Sequence, residues 1–251
     1  MKIGNLINRT AQSKKKIEER ILGNFLSHPS LRLRVSGITP MDPPDFVIKR
    51  YVQKKFKRIS VELTSVMNPN LKQMESAQKK IVDIAWGNFR KKYNTELVVL
   101  VYFSRVPFSM TNNSIKQLGS DLADIVSDIF ERNKDCEFRI HTKRPLSRLE
   151  FESINVSNDD SYGIEYWQPH GTFRVPLVDE NWFAEIIRKK ELKISGYPEE
   201  FEEKWLVLLA NFGHQSSHFQ FTNIKKEFKN SPFDRIFIYK QRENEIIKVK
   251  Y

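Results

Sequence analysis

The chain contains little cysteine and little glycine, and it has no long apolar run. Its one cysteine, Cys136, excludes a disulfide within the chain and favours a reducing compartment. Nine glycines in 251 residues are too few for flexible Gly-rich linkers. No segment approaches the roughly 20 apolar residues of a transmembrane helix, and the start, MKIGNLINRTAQSKKK, lacks the apolar stretch of a secretory signal. We therefore expect a cytoplasmic protein that does not span a membrane.

Several catalytic signatures are also missing from the sequence. It contains no P-loop, no Gly-x-Gly-x-x-Gly loop, no His-Glu-x-x-His motif and no nucleophile elbow around a serine. His214 and His218 are four residues apart, but the residues around them are typical of a loop leading into a strand. These absences argue against nucleotide-triphosphate, dinucleotide, zinc-protease and serine-hydrolase chemistry.

Positive charge is abundant and unevenly placed. The formal net charge is +11. Residues 1–60 hold fourteen Lys and Arg against four acids, so this segment accounts for nearly all of the net positive charge. A one-sided positive field favours a polyanionic partner, with nucleic acid first and an anionic membrane second. The simpler alternative is that a basic surface only aids solubility.

The first 140 residues contain a regular alternation of elements. Helical and two-residue periodicities predict the order α, β, β, β, α, β. The first helix is expected to begin at a Ser13 cap, to bury Ile17, Ile21, Leu22 and Phe25, and to end near Pro29. The predicted segments are SKKKIEERILGNFLSH, LRLRVSGI, DFVIKRYV, RISVELTSV (joined to the previous strand by QKKFK), a helix from about 69 to 93, and ELVVLVYFS, a run typical of a strand buried on both faces.

The second half is less regular but still alternates helices and strands. A helix is predicted in SIKQLGSDLADIVSDIFERN and another in DENWFAEIIRKKELKI, with strands in LEFESINVS, YGIEYWQP, KWLVLLANF and FDRIFIYKQ. No repeat or linker marks a boundary. We expect one α/β domain over residues 1–251, with a core in 1–140 and an elaboration packed on it in 141–251.

Two carboxylates occupy unusual positions in the predicted hairpin PPDFVIKRYVQKKFKRISVELTSV. Glu62 projects from its strand on the face opposite Val61 and Leu63, and Asp45 opens the neighbouring strand. If the strands pair, the two acids converge at one edge of the sheet. Two hard oxygen ligands with open positions suit Mg²⁺ or Mn²⁺, which orients water and neutralises charge on a phosphodiester.

The helix after this hairpin carries two further candidates. Leu71, Met74, Ile81 and Ala85 form an apolar stripe, and Gln78 falls inside it. Gln78 and its neighbour Lys79 are therefore candidates to orient water or phosphate at the same site. The alternative for Gln78 is a buried amide that is hydrogen-bonded to the backbone.

With PPD opening one strand and VELT in the next, the αβββαβ order resembles the PD-(D/E)XK, or restriction-endonuclease-like, nuclease superfamily. It is similar to a bacterial branch with Glu-x-Thr instead of Glu-x-Lys, followed by a helix with AQKKIVDIA. The stretches IRKKELKISGY, KWLVLLANF and FDRIFIY also resemble that branch, so the resemblance covers most of the chain. It implies a restriction-endonuclease-like αβββαβ core with a mixed central sheet.

The resemblance also implies roles for particular residues. Asp45 and Glu62 would bind the metal, and Glu18 matches an acid that the superfamily occasionally carries in its first helix. Thr64 stands where the superfamily usually has a catalytic lysine, which positions water or stabilises the charge of the transition state. Either Lys79 supplies the amine from the helix, or the chain binds nucleic acid without cutting it.

Basic residues complete the predicted site. Lys54, Lys55, Lys57 and Arg58 on the hairpin, and Lys190 and Lys193 near Tyr197, are candidates for backbone contacts to nucleic acid. For Lys190 and Lys193 there is an equally weighted alternative, in which they are solvated side chains whose charge complements the dipole at the end of a helix.

The function predicted from these residues is hydrolysis of DNA phosphodiester bonds by a Mg²⁺- or Mn²⁺-dependent nuclease. A homodimer would suit cutting of both strands. Two alternatives stay open: an inactive nuclease fold that binds nucleic acid or a protein partner, and a structural protein whose basic face has no nucleic-acid role.

Overall fold

The computed structural model describes residues 3–104, 108–143, 146–159, 165–170, 175–197, 201–222, 224 and 228–250, with only the backbone described for residues 3–13. The chain forms two compact units. The discontinuous unit comprises Met1–Met67 and Val175–Tyr251, and the inserted unit comprises Asn68–Arg174. Whether the two units make one domain, as the sequence predicts, stays a prediction.

Four α-helices and ten β-strands lie within the described residues, which confirms the α/β class, and the strands form two mixed sheets where the sequence predicts one central sheet. In chain order the elements are α1 (Ile3–Leu26), β1 (Val35–Pro40), β2 (Phe46–Val52), β3 (Lys55–Ser65), α2 (Pro69–Lys92), β4 (Val98–Phe103), α3 (Asn112–Asn133), β5 (Arg139–Lys143), β6 (Phe151–Ser157), β7 (Tyr166–His170), α4 (Glu180–Glu191), β8 (Glu203–Ala210), β9 (Arg235–Lys240) and β10 (Glu245–Lys250).

The discontinuous unit is built on a six-stranded sheet with the order β1-β2-β3-β8-β9-β10. The first three strands are antiparallel neighbours, β3 pairs with β8 in parallel, and β8 pairs with β9 in parallel. Strand β10 returns antiparallel to β9. Because α4 precedes β8, this unit by itself contains the order α, β, β, β, α, β, and the inserted unit separates β3 from α4.

Both faces of this sheet are covered. On one face, Leu22 and Phe25 of α1 pack in a cluster with Val61 and Trp205. On the other face, apolar residues of α4, β8 and β9 form a second cluster, which includes Phe183, Ile187, Leu206, Leu208, Ile236 and Ile238. Strand β8 is buried from Trp205 to Ala210, as its continuous apolar run predicts.

The inserted unit has a four-stranded sheet with the order β5-β6-β4-β7. Its core is formed by buried residues of α2, α3 and the sheet, including Ile81, Phe89, Val99, Val101, Leu122 and Val126. The expectation that β4 is buried on both faces is wrong. Buried and half-buried residues alternate along β4, because it has a helix-covered face and a partly open one. Strand β4 also pairs with β6 and β7, whereas the parallel neighbour of β3 is β8.

Two local expectations are corrected by the structure. Helix α1 begins at Ile3, so Ser13 lies within it, and Ile17 is 49% exposed although the stripe predicted it to be buried. The link between β2 and β3 is also shorter than QKKFK. Only Gln53 and Lys54 form the turn, with φ of 47° and 65°, values in the left-handed region that two-residue hairpin turns require.

Within the described residues, no helix combines the length and apolar character needed to cross a membrane. The cytoplasmic location stays a prediction.

Candidate active site

Glu62 is a carboxylate buried in the middle of β3. Its side chain is 3% exposed. Lys190 Nζ donates a hydrogen bond to Glu62 Oε2 at 2.9 Å, and the Tyr197 hydroxyl donates to Glu62 Oε1 at 3.1 Å. A buried carboxylate is costly unless a cation and hydrogen-bond donors offset its lost hydration. The ammonium and the phenol supply both.

The alternation of β3 explains why Glu62 lies on this side of the sheet. Val61 and Leu63 face the cluster beneath α1, so Glu62 projects to the opposite face, as the sequence predicts. Ser60 and Thr64 share that face. Among the described residues, Ser60 Oγ and Thr64 Oγ1 are buried and have no hydrogen-bond partner, which leaves two unused oxygens beside the carboxylate.

Asp45 lies directly before β2 and close to Glu62. The register that pairs Phe46 with Val61 places Asp45 opposite Glu62, one step further along the hairpin. The backbone N–H of Leu63 donates to Asp45 Oδ2 at 2.8 Å, which ties the carboxylate of Asp45 to β3. The structure thus brings together the two acids that the sequence singles out.

Lys190 reaches Glu62 from the last turn of α4. Phe183 and Ile187 are the buried residues of this helix, and Lys190 follows them at helical spacing, on the same stripe. Its side chain is 17% exposed, whereas the neighbouring Lys189 is 67% exposed and pairs with Glu185 at 2.8 Å. The sequence signal for this buried ion pair is a lysine at helical spacing from two apolar residues of the buried stripe. Lys190 has this spacing, and the neighbouring Lys189 does not.

Tyr197 was matched in the sequence only as an aromatic near two lysines, yet the structure makes it part of the site. It follows the short 3₁₀ turn Ile194–Gly196 that succeeds α4. Burial raises the pKa of Tyr197 well above its usual range, and the charge of Glu62, the hydrogen bond to it and the charge of Asp45 raise it further. The phenol therefore stays protonated and acts as a donor to Glu62.

This shift predicts a pH dependence of stability. The folded state holds the Tyr197 proton more tightly than the unfolded state, so the contribution is complete below the ordinary tyrosine pKa of about 10 and is lost as pH rises above it. Between about pH 10 and 11, the free energy of unfolding should fall more steeply in the wild type than in Tyr197→Phe. Urea denaturation of both proteins from pH 8 to 11 measures this, and parallel curves would contradict it.

The other predicted catalytic residues belong to helices α1 and α2. Glu18, on α1, is 25% exposed and lies 3.7 Å from Lys14. Gln78 and Lys79 belong to α2 in the inserted unit, where Gln78 is half-buried. Lys79 is 66% exposed and pairs with Asp83 at 3.0 Å. Their catalytic roles stay predictions.

The predicted nucleic-acid contacts differ in their surroundings. Lys54 and Lys55 are exposed at the hairpin turn. Lys57 lies 3.5 Å from Glu203, and the Arg58 guanidinium lies 5.6 Å from the centre of the Phe201 ring. Lys193, the last of the predicted contact residues, is exposed and lies directly before the 3₁₀ turn Ile194–Gly196.

The donor set at Glu62 fits a hard divalent cation. Mg²⁺ in phosphoryl-transfer sites is commonly held by one or two carboxylates, with waters and substrate phosphates completing its coordination. Asp45 and Glu62 supply two carboxylates, and the unused Thr64 Oγ1 adds an oxygen on the same face. Within the described residues, no group of three or more His, Cys, Asp or Glu side chains is arranged to hold a metal ion.

Comparisons with known proteins do not place this chain. No family model matches it, and no curated protein and no solved structure shows significant similarity to it.

Proposed function

We propose that this protein is a metal-dependent nuclease that hydrolyses phosphodiester bonds of DNA. The observation that carries the proposal is the juxtaposition of Asp45 and Glu62 at one edge of the β2–β3 hairpin, with the ammonium of Lys190 on Glu62. Two carboxylates and a lysine are the groups that phosphodiester hydrolysis uses to hold a metal and to balance charge on phosphate.

The topology of the discontinuous unit supports the same function. Its order α1-β1-β2-β3-α4-β8, with β8 parallel to β3, is compatible with the mixed αβββαβ core that the resemblance to the PD-(D/E)XK superfamily implies, although the sequence assigns the last two positions to α2 and β4. The elements that complete this order are α4 and β8, which follow the inserted unit. Helix α4 is also the element that provides Lys190, so the amine missing at Thr64 would come from this helix.

Asp45 and Glu62 would hold Mg²⁺ or Mn²⁺ in this site. When bound, the cation would supply a polarised water and offset the negative charge of the phosphate. Lys190, released from Glu62, would place its ammonium beside the phosphate, and Tyr197 would keep one oxygen of Glu62 oriented through its hydrogen bond. The basic residues of the hairpin would bind the substrate backbone, which makes binding salt-dependent.

Removal of either carboxylate tests the proposal. In Glu62→Gln and Asp45→Asn, binding of Mg²⁺ or Mn²⁺ by calorimetry should be lost, and plasmid nicking should fall by roughly 10³-fold, about 4 kcal/mol of transition-state stabilisation. Glu185→Gln is the matched control, since it removes an exposed carboxylate that is also paired with a lysine. Unchanged nicking in both site variants would refute the assignment.

A second candidate function is a nucleic-acid-binding protein without hydrolytic activity. It is favoured by the hydrogen bonds that both Glu62 oxygens already accept, because Lys190 and Tyr197 satisfy this carboxylate without a metal. Such a protein should bind DNA equally well with EDTA and with Mg²⁺, and nick neither supercoiled nor linear substrates. DNA binding in EDTA without any nicking in Mg²⁺ or Mn²⁺ would select this function.

A further inference from the structure

The hairpin face that carries Asp45 and Glu62 bears a succession of cross-strand residue pairs between these acids and the β2–β3 turn. Cross-strand partners on one face repeat every second residue. Beyond the two acids, the register on this face pairs Val47 with Ser60, then Lys49 with Arg58, and then Tyr51 with Phe56, next to the turn at Gln53 and Lys54. A carboxylate pair, a small Val–Ser pair, a cation pair and an aromatic pair therefore follow one another along the same face.

The aromatic pair is unusually accessible. Tyr51 is 41% exposed and Phe56 is 59% exposed, and their ring centroids are 5.1 Å apart with the planes tilted by 55°. The contact between the rings stabilises the hairpin end. It leaves a large part of each ring open to solvent, which is surface on which a flat, apolar ligand group can stack.

The charge around these rings selects the class of ligand. Lys49, Lys54 and Lys55 are exposed on the same hairpin end. Positive side chains next to exposed aromatic rings match a strand of nucleic acid, whose phosphates are attracted to the lysines and whose bases stack on the rings. Bases of a duplex are already stacked on each other, so the rings favour a strand with unpaired bases.

We propose that the hairpin tip, defined as Lys49, Tyr51, Lys54, Lys55 and Phe56, binds single-stranded nucleic acid by stacking of bases on Tyr51 and Phe56. This inference deepens the proposed function and rests on it for the position of cleavage. Phe56 and Glu62 are six residues apart on β3, which corresponds to about 20 Å at roughly 3.3 Å per residue. At a helical spacing of about 3.4 Å per nucleotide, cleavage should fall about six nucleotides or fewer from the stacked bases.

Binding of a fluorescein-labelled 20-nucleotide DNA tests the proposal in EDTA, where hydrolysis does not interfere. The double variant Tyr51→Leu and Phe56→Leu keeps apolar side chains at the tip but removes both rings. We expect its affinity for the single strand to fall by at least about fivefold, with less than about a twofold change for the corresponding duplex. The swapped variant, Tyr51→Phe with Phe56→Tyr, keeps both rings and should retain wild-type affinity.

Trp86→Leu is the matched control, since it removes a 42% exposed aromatic side chain from α2. Thermal denaturation of each variant verifies that it is folded. Equal losses for single strand and duplex, an unchanged affinity in the leucine variant, or stronger ring-dependent binding to phosphatidylserine vesicles than to DNA would overturn the proposal. Ring-dependent binding to the single strand without any hydrolysis in Mg²⁺ would uphold it and refute the nuclease function instead.

Discussion

Replacement of Lys190 with methionine is expected to lower the free energy of unfolding by about 3 kcal/mol. Glu62 is 3% exposed and the side chain of Lys190 is 17% exposed, so the variant leaves a buried carboxylate whose remaining side-chain donor, among the residues that the structure describes, is the Tyr197 hydroxyl. The lost ion pair is a smaller part of the effect than the uncompensated desolvation of Glu62. Urea denaturation in EDTA, at a pH near 7, measures the change without a metal ion.

A double-mutant cycle separates this effect from the loss of lysine packing. When Glu62→Gln is combined with Lys190→Met, no buried charge is left without a counter-ion, because the glutamine is neutral. Most of the lost stability should therefore return, with a coupling free energy of about 2 kcal/mol between the two positions. Lys189→Met provides the control on the same helix, since its exposed pair with Glu185 contributes less than about 1 kcal/mol. If the two lysine variants are equally stable, Glu62 is not stabilised by Lys190.

The second large effect expected is on hydrolysis, and it rests on the proposed function. Lys190→Met should reduce plasmid nicking by roughly 10³-fold, because the transition state loses its nearest ammonium. Adding Thr64→Lys to this variant should recover at least about tenfold of the rate. Thr64 Oγ1 is buried on the same face as Glu62 and has no partner among the described residues, so a lysine at this position starts beside the carboxylate.

The matched control for this recovery is Thr64→Met with Lys190→Met, which has similar side-chain volume and no charge. Initial rates are measured at a temperature where circular dichroism confirms that every variant is folded. Recovery in both double variants would assign the effect to packing, and full activity in Lys190→Met would remove Lys190 from the catalytic groups.

The sequence predicts the hairpin and the convergence of its two acids because the forces that set them are local. Apolar residues at Ile59, Val61 and Leu63 fix which face of β3 packs against α1, and a shift by one residue would place Glu62 in the apolar cluster beneath α1. A two-residue turn then sets the register of β2 against β3. Asp45 follows from that register.

The partner of Glu62 could not be found in the same way. Lys190 is 128 residues away, and no local pattern states that α4 and β8, rather than α2 and β4, complete the sheet next to β3. Helix α2 directly follows β3 and carries Gln78 and Lys79, which made it the natural candidate. An insertion leaves each element's periodicity intact while it changes which elements are neighbours, so periodicity alone does not reveal it.

The interruption between β3 and β8 has a consequence for synthesis of the chain. Strand β3 pairs with β2 on one side, and its other side is filled by β8, which begins at Glu203. At roughly 5–20 residues per second, a ribosome needs on the order of ten seconds between these strands, and during that interval β3 is an open edge of the nascent sheet. Exposed edges recruit strands of other chains, and lysines along them oppose this. Lys55 and Lys57 lie on β3 just before Ile59–Ser65, the segment that β8 covers, and their charge would oppose such pairing at this end of the open edge.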